Sequence, residues 1–147
     1  MKILVIDGQG GGMGKALIAL LKTRLPDARI LAVGTNSIAA SVMKKAGADI
    51  AATGENAVKV NARNADVITG PVGIIAADAL YGEISGDMAN AVARSAAVKV
   101  LVPFNHCGLL IAGGRNETPA KLLADAVDKI AEIADSAANV KKNPDFI

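Results

Sequence analysis

The sequence predicts an α/β protein with a single doubly wound, Rossmann-like domain and a mostly parallel sheet of five or six strands. Short apolar runs, typical of buried strands, alternate with longer segments whose apolar residues recur every three or four positions. Glycine and proline separate these segments. A glycine-rich turn also stands between the first apolar run and the first helical segment. We expect the first strand to lie at the centre of the sheet.

The individual elements follow from this alternation. Ser37 or Asn36 is expected to cap the second helix, which carries Ile38 and Val42 on one face, and Thr118-Pro119 marks the start of the last helix. The predicted strands cover residues 2–6, 29–33, 49–52, 66–69 and 99–102, with a possible sixth at 107–112. The predicted helices cover 12–25, 37–47, 55–64, one short helix within 72–84, 87–97 and 118–136. Residues 1–136 form the predicted domain, and 137–147 form a tail because helical periodicity is absent there.

Composition excludes several classes of protein. The chain has 147 residues, enough for one domain with a real core, and its 52% hydrophobic and 20% charged residues exclude general disorder. No apolar run approaches the roughly 20 residues of a membrane span. A single cysteine is consistent with a reducing cytoplasm, the expected location. A net charge of +2 and only three aromatic residues give no reason to expect nucleic-acid binding.

The strongest functional signal is the glycine-rich turn between the first strand and the first helix. Glycine lets a backbone approach a phosphate closely, and the helix that follows points unpaired N–H groups and its positive dipole end at the same place. One or two glycines would serve a tight turn and close helix packing, whereas this turn has five in seven positions. We therefore expect it to bind phosphate. The expected binding residues are Gly8, Gln9, Gly10, Gly11, Gly12, Met13 and Gly14.

Several known glycine spacings fit this turn. The pattern G-x-x-G-x-x-G fits at Gly8, Gly11 and Gly14, and G-x-x-x-G-x-G, the spacing of short-chain dehydrogenases, fits with Gly12 in the middle. The longer string Gly8-x-x-Gly11-x-Met13-Gly14 resembles the loop of dihydrodipicolinate reductases and other NAD(P)-dependent reductases. The ATP-hydrolase pattern G-x-x-x-x-G-K-[ST] does not fit, because alanine follows the Gly-Lys pair.

Residues after the second and fourth strands extend the predicted site. Ligands of open parallel sheets bind outside the carboxyl ends of the strands, so we expect Thr35, Asn36, Ser37, Thr69 and Gly70 to line the cofactor site. The second strand does not end in the Asp or Glu that usually holds the ribose of NAD. The predicted cofactor is NAD or NADP, with another nucleotide or coenzyme A left open.

Asn105, His106 and Cys107 follow the fifth strand, and by residue type they are the most reactive-looking group in the chain. They are the candidate catalytic residues, because His106 could serve as an acid or base and Cys107 as a nucleophile if its pKa is lowered. The alternative is structural, with a buried Cys107 and a hydrogen-bonded His106. A lone histidine and a lone cysteine lack the further spaced ligands of a metal site, so no metal is expected.

The chain as a whole, from Asp7-Gly8-Gln9 to Asn105-His106-Cys107, resembles a family of short bacterial proteins known only as a domain of unknown function. The resemblance implies a Rossmann-like architecture and a cytoplasmic, bacterial origin. It implies no reaction.

Two functions remain open. The first is a nucleotide- or dinucleotide-binding protein of the NAD(P) type, and the second is a small enzyme that uses His106 and Cys107 on a phosphorylated metabolite or cofactor. The expected partner is a phosphate-containing small molecule, and neither nucleic acid nor a membrane is expected. Since no second domain supplies substrate residues, we expect a homodimer or higher homo-oligomer that associates through residues 87–97 and 72–84.

Overall fold

A fully parallel, five-stranded sheet forms the centre of the protein in the computed structural model, which describes residues 1–103, 109–112 and 117–142. The strand order is β3-β2-β1-β4-β5, so the first strand is central, as predicted. This order is the one found in Rossmann-type sheets. The strands are β1 (Lys2–Asp7), β2 (Arg29–Gly34), β3 (Ile50–Thr53), β4 (Val67–Pro71) and β5 (Val98–Val102).

Helices cover both faces of the sheet, which confirms the doubly wound fold class. The helices are α1 (Gly12–Arg24), α2 (Ser37–Lys45), α3 (Glu55–Ala62), α4 (Gly86–Arg94) and α5 (Pro119–Lys142), with one turn of 3-10 helix at Val72–Ile75. Buried residues of α1, α2 and α5 share one core cluster, and those of α3 and α4 share the other. The chain therefore changes face between β3 and β4.

The central strand packs into both cores. Ile3 and Val5 belong to the cluster beneath α1, α2 and α5, whereas Leu4 and Ile6 belong to the cluster beneath α3 and α4. All four side chains are at most 1% exposed. Because both faces of β1 are covered, its sequence is continuously apolar instead of alternating. Each such side chain stabilises the fold by roughly 1.5–3 kcal/mol through burial.

Two helices differ from the predicted ones. Of the two candidate caps of α2, Asn36 is the one that acts, since its side chain accepts a hydrogen bond from Ala39 N at 2.8 Å. Ile38 is 66% exposed, whereas Ala39 and Met43 are fully buried, so the inward face of α2 carries Ala39 and Met43. A small residue is needed there because Gly11 lies against Ala39. Helix α5 continues to Lys142, beyond residue 136, since alanine and lysine favour a helix without an apolar stripe.

Three further expectations concern strand number, assembly and the membrane. Residues 109–112 of the predicted sixth strand are not in a strand, and residues 107–108 lie outside the described residues.

In the segments expected to form an interface, Ile74, Ile84, Met88 and Val92 are buried in the chain's own core. Their burial explains the apolar character of both segments without a partner. In the described ranges no helix has the length and apolarity needed to cross a membrane.

Candidate functional site

The candidate site is the crevice at the carboxyl ends of β1, β2 and β4. Connections from β1 and β4 leave toward opposite faces of the sheet, so a crevice opens where these neighbouring strands end. Ligands of open α/β sheets bind at such a switch point. Residues from three segments meet in this crevice: the glycine-rich turn after β1, the residues after β2, and a loop that follows β4.

Three of the five glycines in the turn lie in close contact with neighbouring segments. A Cβ on Gly8 would lie 2.7 Å from Thr35 Oγ1, and one on Gly11 would lie 2.8 Å from the Cα of Ala39. Gly11 also has a φ of +72°, which side chains disfavour. A Cβ on Gly14 would overlap the buried side chain of Met43. Gly8, Gly11 and Gly14 are the three glycines of the pattern G-x-x-G-x-x-G, so packing alone explains why glycine occurs at these positions.

Packing does not explain the other two glycines. Both Gly10 and Gly12 are exposed, and a Cβ on either would meet nothing within 4 Å. Neither has the positive φ that favours glycine. Among the described residues, their N–H groups have no hydrogen-bond acceptor. Gly10 and Gly12 therefore leave uncovered backbone N–H groups at the start of α1, where the helix dipole favours an anion.

The buried side chain of Asp7 organises the base of the turn. It is 5% exposed, and its two carboxylate oxygens accept hydrogen bonds from Gly8 N at 2.8 Å and from Gly14 N at 2.7 Å. Burial raises the pKa of Asp7, the backbone hydrogen bonds oppose this effect, and the nearby charge of Glu83 adds to the rise. Asp7 therefore takes two of the amides that the sequence assigned to phosphate.

Glu83 binds the donors at the mouth of the crevice, a role that sequence reasoning missed. Its carboxylate accepts hydrogen bonds from Gln9 N at 3.0 Å and from Asn36 Nδ2 at 2.9 Å, and also from Thr35 Oγ1 and Gln9 Nε2. Burial acts to raise the pKa of Glu83, but these hydrogen bonds outweigh it and hold the pKa below its ordinary value. In the described part of the chain, no lysine or arginine forms an ion pair with this carboxylate.

Residues 78–84, here called the Glu83 loop, hold this carboxylate over the crevice. Asp78 N donates to Ile84 O at 2.8 Å and closes the base of the loop, and Ala79 and Ile84 are buried. Asp78, Leu80 and Tyr81 all have left-handed backbone, with φ between 56° and 64°. That conformation costs roughly 1–2 kcal/mol at a non-glycine residue. Three such residues in one short loop are a concentration of strain beside the predicted site.

The remaining predicted site residues have less direct roles. Met13 is the second residue of α1. Ser37 is the first residue of α2, and its side chain is exposed. Thr69 is fully buried, and its Oγ1 has no hydrogen-bond partner among the described residues. A Cβ on Gly70 would overlap Ile6 O, so Gly70 lets β4 approach β1. The candidate catalytic residues Asn105, His106 and Cys107 lie outside the described residues.

Comparison with known proteins gives one family and a shared fold. The family model described as "Domain of unknown function (DUF3842)" matches residues 2–135. None of the curated proteins matches this chain. The crystal structure of a dodecameric FMN-dependent UbiX-like decarboxylase from Escherichia coli O157:H7 is 18% identical, with a TM-score of 0.51, and the match covers 90% of this chain and 93% of that chain. The crystal structure of AibC is also 18% identical, with a TM-score of 0.46 over 89% of this chain and 38% of that chain. At 18% identity the likeness to the decarboxylase shows the fold alone.

The prediction of NAD or NADP as cofactor is wrong. The decarboxylase that shares the fold is described as FMN-dependent, not as dependent on a nicotinamide cofactor. The site is consistent with this correction, because β2 ends without a carboxylate for a ribose, and Thr35 and Asn36 there bind Glu83 instead. The family description names no NAD(P)-dependent reductase, so the resemblance of the glycine turn to those enzymes stays a prediction.

Proposed function

The chain belongs to the DUF3842 family, and we propose that it binds a phosphorylated small molecule of the flavin mononucleotide class in the crevice between β1 and β4. The family description assigns no activity, so the proposal depends on the site. It keeps the prediction of a nucleotide-binding protein and replaces the nicotinamide cofactor by a flavin.

One observation carries the proposal: donors from two strand ends converge on a single anion. The backbone N–H of Gln9 follows β1, the hydroxyl of Thr35 and the amide of Asn36 follow β2, and all three donate to the carboxylate of Glu83. Hydrogen bonds to an ionised acceptor are about twice as strong as neutral ones. A group of donors that binds a carboxylate in this way also suits the terminal oxygens of a phosphate.

The two unexplained glycines support a phosphate beside these donors. Gly10 and Gly12 leave their backbone uncovered at the start of α1, where a side chain would occupy the space that a ligand needs. In this proposal the phosphate lies over residues 10–14 and accepts hydrogen bonds from the amides of Gly10 and Gly12. It also accepts hydrogen bonds from the donors of Gln9, Thr35 and Asn36 that bind Glu83 in the ligand-free protein. The rest of the ligand crosses the strand ends toward Asn105, His106 and Cys107, whose catalytic role stays a prediction.

The residues present fit a flavin phosphate better than they fit a nicotinamide dinucleotide. The crevice offers neutral donors for one phosphate group, and β2 ends in Gly34 without the carboxylate that usually holds the ribose of a nicotinamide dinucleotide. A bound flavin supplies one- and two-electron redox chemistry. The chain's own residues would bind its phosphate and orient it against the end of the sheet.

We also propose that the protein is a homo-oligomer. The UbiX-like decarboxylase that shares the fold is dodecameric, which supports this proposal. Light scattering at micromolar concentration tests this proposal: a mass of two or more chains is expected, and the mass of one chain would contradict it.

A thermal-shift screen tests the proposed function directly. The folded protein is heated with saturating FMN, riboflavin, ATP, coenzyme A or inorganic phosphate. A ligand that binds only the folded state raises the melting temperature, and at 100 times its Kd it adds about 2.7 kcal/mol of stability. FMN should give the largest rise. If none of these compounds changes the melting temperature, the crevice does not bind phosphorylated ligands.

A further inference from the structure

We propose that the Glu83 loop is an autoinhibitory latch: its Glu83 carboxylate occupies the anion site, and a phosphate ligand must displace it to enter. This inference rests on the proposed function, because the displaced position is the one assigned to the phosphate. It adds a prediction about the ligand-free protein, in which the chain itself supplies the anion.

The hydrogen bonding of Glu83 leaves no room for a ligand to share it. A carboxylate has two oxygens and about four lone-pair sites. Gln9 donates to both oxygens, and Thr35 and Asn36 donate to Oε2. Since these are the donors proposed for the phosphate, Glu83 and the phosphate compete for them.

The turn after β1 is shaped to accept Glu83. A Cβ on Gly8 would lie 2.9 Å from Glu83 Oε2 and 3.0 Å from Leu80 Cδ1. The side-chain amide of Gln9 also donates to Leu80 O at 3.2 Å, which ties the loop to the turn. Glycine at position 8 therefore has a specific consequence: it lets the Glu83 loop close onto the crevice.

The loop is fixed in the core at its two ends, and between them Leu80 packs partly against the core, whereas Tyr81 does not. Its two ends are fixed by the buried side chains of Ala79 and Ile84 and by the bond from Asp78 N to Ile84 O. Its tip is free of such contacts, since Tyr81 is 93% exposed. The left-handed backbone at Leu80 and Tyr81 is unfavourable, so the closed form depends on the contacts that Glu83 and Gln9 make.

The test compares Glu83→Ala and Glu83→Gln with the parent and with Glu132→Ala, an exposed glutamate on α5 that serves as the matched control. Affinities for FMN and for inorganic phosphate are measured by calorimetry, and hydrogen exchange is measured over residues 76–85. If the open form is populated to about 10%, removing the latch should tighten both affinities about tenfold. Exchange in the loop should rise in ligand-free Glu83→Ala, and also in the parent when FMN is added.

The outcomes separate the two proposals. If the parent binds FMN and Glu83→Ala binds it equally or more weakly, Glu83 is a ligand-binding group or a bystander and the latch is overturned. Increased protection of the loop on FMN binding would overturn it as well. If neither the parent nor Glu83→Ala binds FMN or phosphate, the proposed function fails, and unchanged exchange in the ligand-free variant would also show that Glu83 does not hold the loop.

Discussion

Asn36 donates a hydrogen bond of 2.9 Å to Glu83 while its side-chain oxygen caps α2 by accepting from Ala39 N at 2.8 Å. The cap fixes the orientation of the side-chain amide, so its NH2 group points at the crevice and also reaches Gln9 O at 2.9 Å. One side chain therefore connects the start of a helix, the glycine-rich turn and the loop that follows β4. Each of the predictions below depends on this network or on the turn beside it.

Replacing Asn36 by Asp should keep the helix cap and break the contact with Glu83. Aspartate is as good an N-cap as asparagine, but its carboxylate would face the carboxylate of Glu83. We expect a loss of roughly 1–3 kcal/mol of unfolding free energy at neutral pH, mostly recovered in the double variant Asn36→Asp with Glu83→Gln. Chemical denaturation of the four proteins measures the coupling. Additive effects would show that Asn36 and Glu83 do not interact, and Ser37→Ala, at a residue that does not cap α2, should change little.

Replacing Gly12 by Asp should separate ligand binding from folding. Gly12 is the first residue of α1, has space for a side chain, and lacks a positive φ. An acidic residue in the first helical turn adds about 0.3–1 kcal/mol, so the melting temperature should hold or rise. Its charge should weaken FMN binding by about 10- to 100-fold, the equivalent of one lost charge-assisted hydrogen bond. Gly12→Asn, of the same size without the charge, is the control, and equal affinity in the Asp variant would place the phosphate elsewhere.

Replacing Gly14 by Ala should destabilise the protein, whereas the same change at Gly10 should not. The added methyl at position 14 would overlap the fully buried Met43 and lie 3.0 Å from the Cβ of Asp7. Overpacking of this kind costs about 1–3 kcal/mol. Thermal unfolding of both variants is the measurement, and a smaller loss in a Met43→Ala background would identify the clash. Equal melting temperatures for the two glycine variants would contradict the packing roles assigned to the turn.

The two carboxylates of the site should give opposite contributions to acid stability. The pKa of Glu83 lies below its ordinary value of 4.5, so its stabilising effect is complete above about that pH and is lost as pH falls through the folded-state pKa. The pKa of Asp7 lies above 3.8, so its contribution is greatest below that pH and declines as pH rises through the folded-state pKa. Denaturation from pH 3 to 6 should show Glu83→Gln approaching the parent as pH falls. A constant difference between them would contradict the assignment.

Much of the fold was predictable because it follows from local patterns. The continuous apolar run of β1 indicated a strand covered on both faces, and the alternation of strands and helices indicated a parallel sheet. The glycine-rich turn was also identified, although the sequence could not separate the glycines needed for packing from Gly10 and Gly12. That distinction depends on Ala39 and Met43, which contact the turn only in the folded protein.

Glu83 could not be predicted, because its partners are distant in sequence. It lies 74 residues from Gln9 and 47 from Asn36, in an irregular loop without helical or strand periodicity. The available signal was weak: a carboxylate after Tyr81-Gly82, in a mostly apolar stretch that also contains Asp78. The sequence signal for Asp7 was stronger, because a carboxylate between a buried strand and a glycine-rich turn is placed to accept hydrogen bonds from backbone amides. That Asp7 accepts hydrogen bonds from the amides of Gly8 and Gly14 could nevertheless be read only from the folded structure.

Titration of the protein with FMN and with riboflavin, followed by flavin fluorescence, tests the central claim most directly. The two ligands share the ring system and differ in the phosphate, so their affinities isolate the group that Gly10, Gly12, Thr35 and Asn36 are proposed to bind. The account predicts saturable binding of FMN, at least about tenfold tighter than binding of riboflavin, with inorganic phosphate competing. Equal affinities for the two flavins, or no binding of FMN, would contradict it.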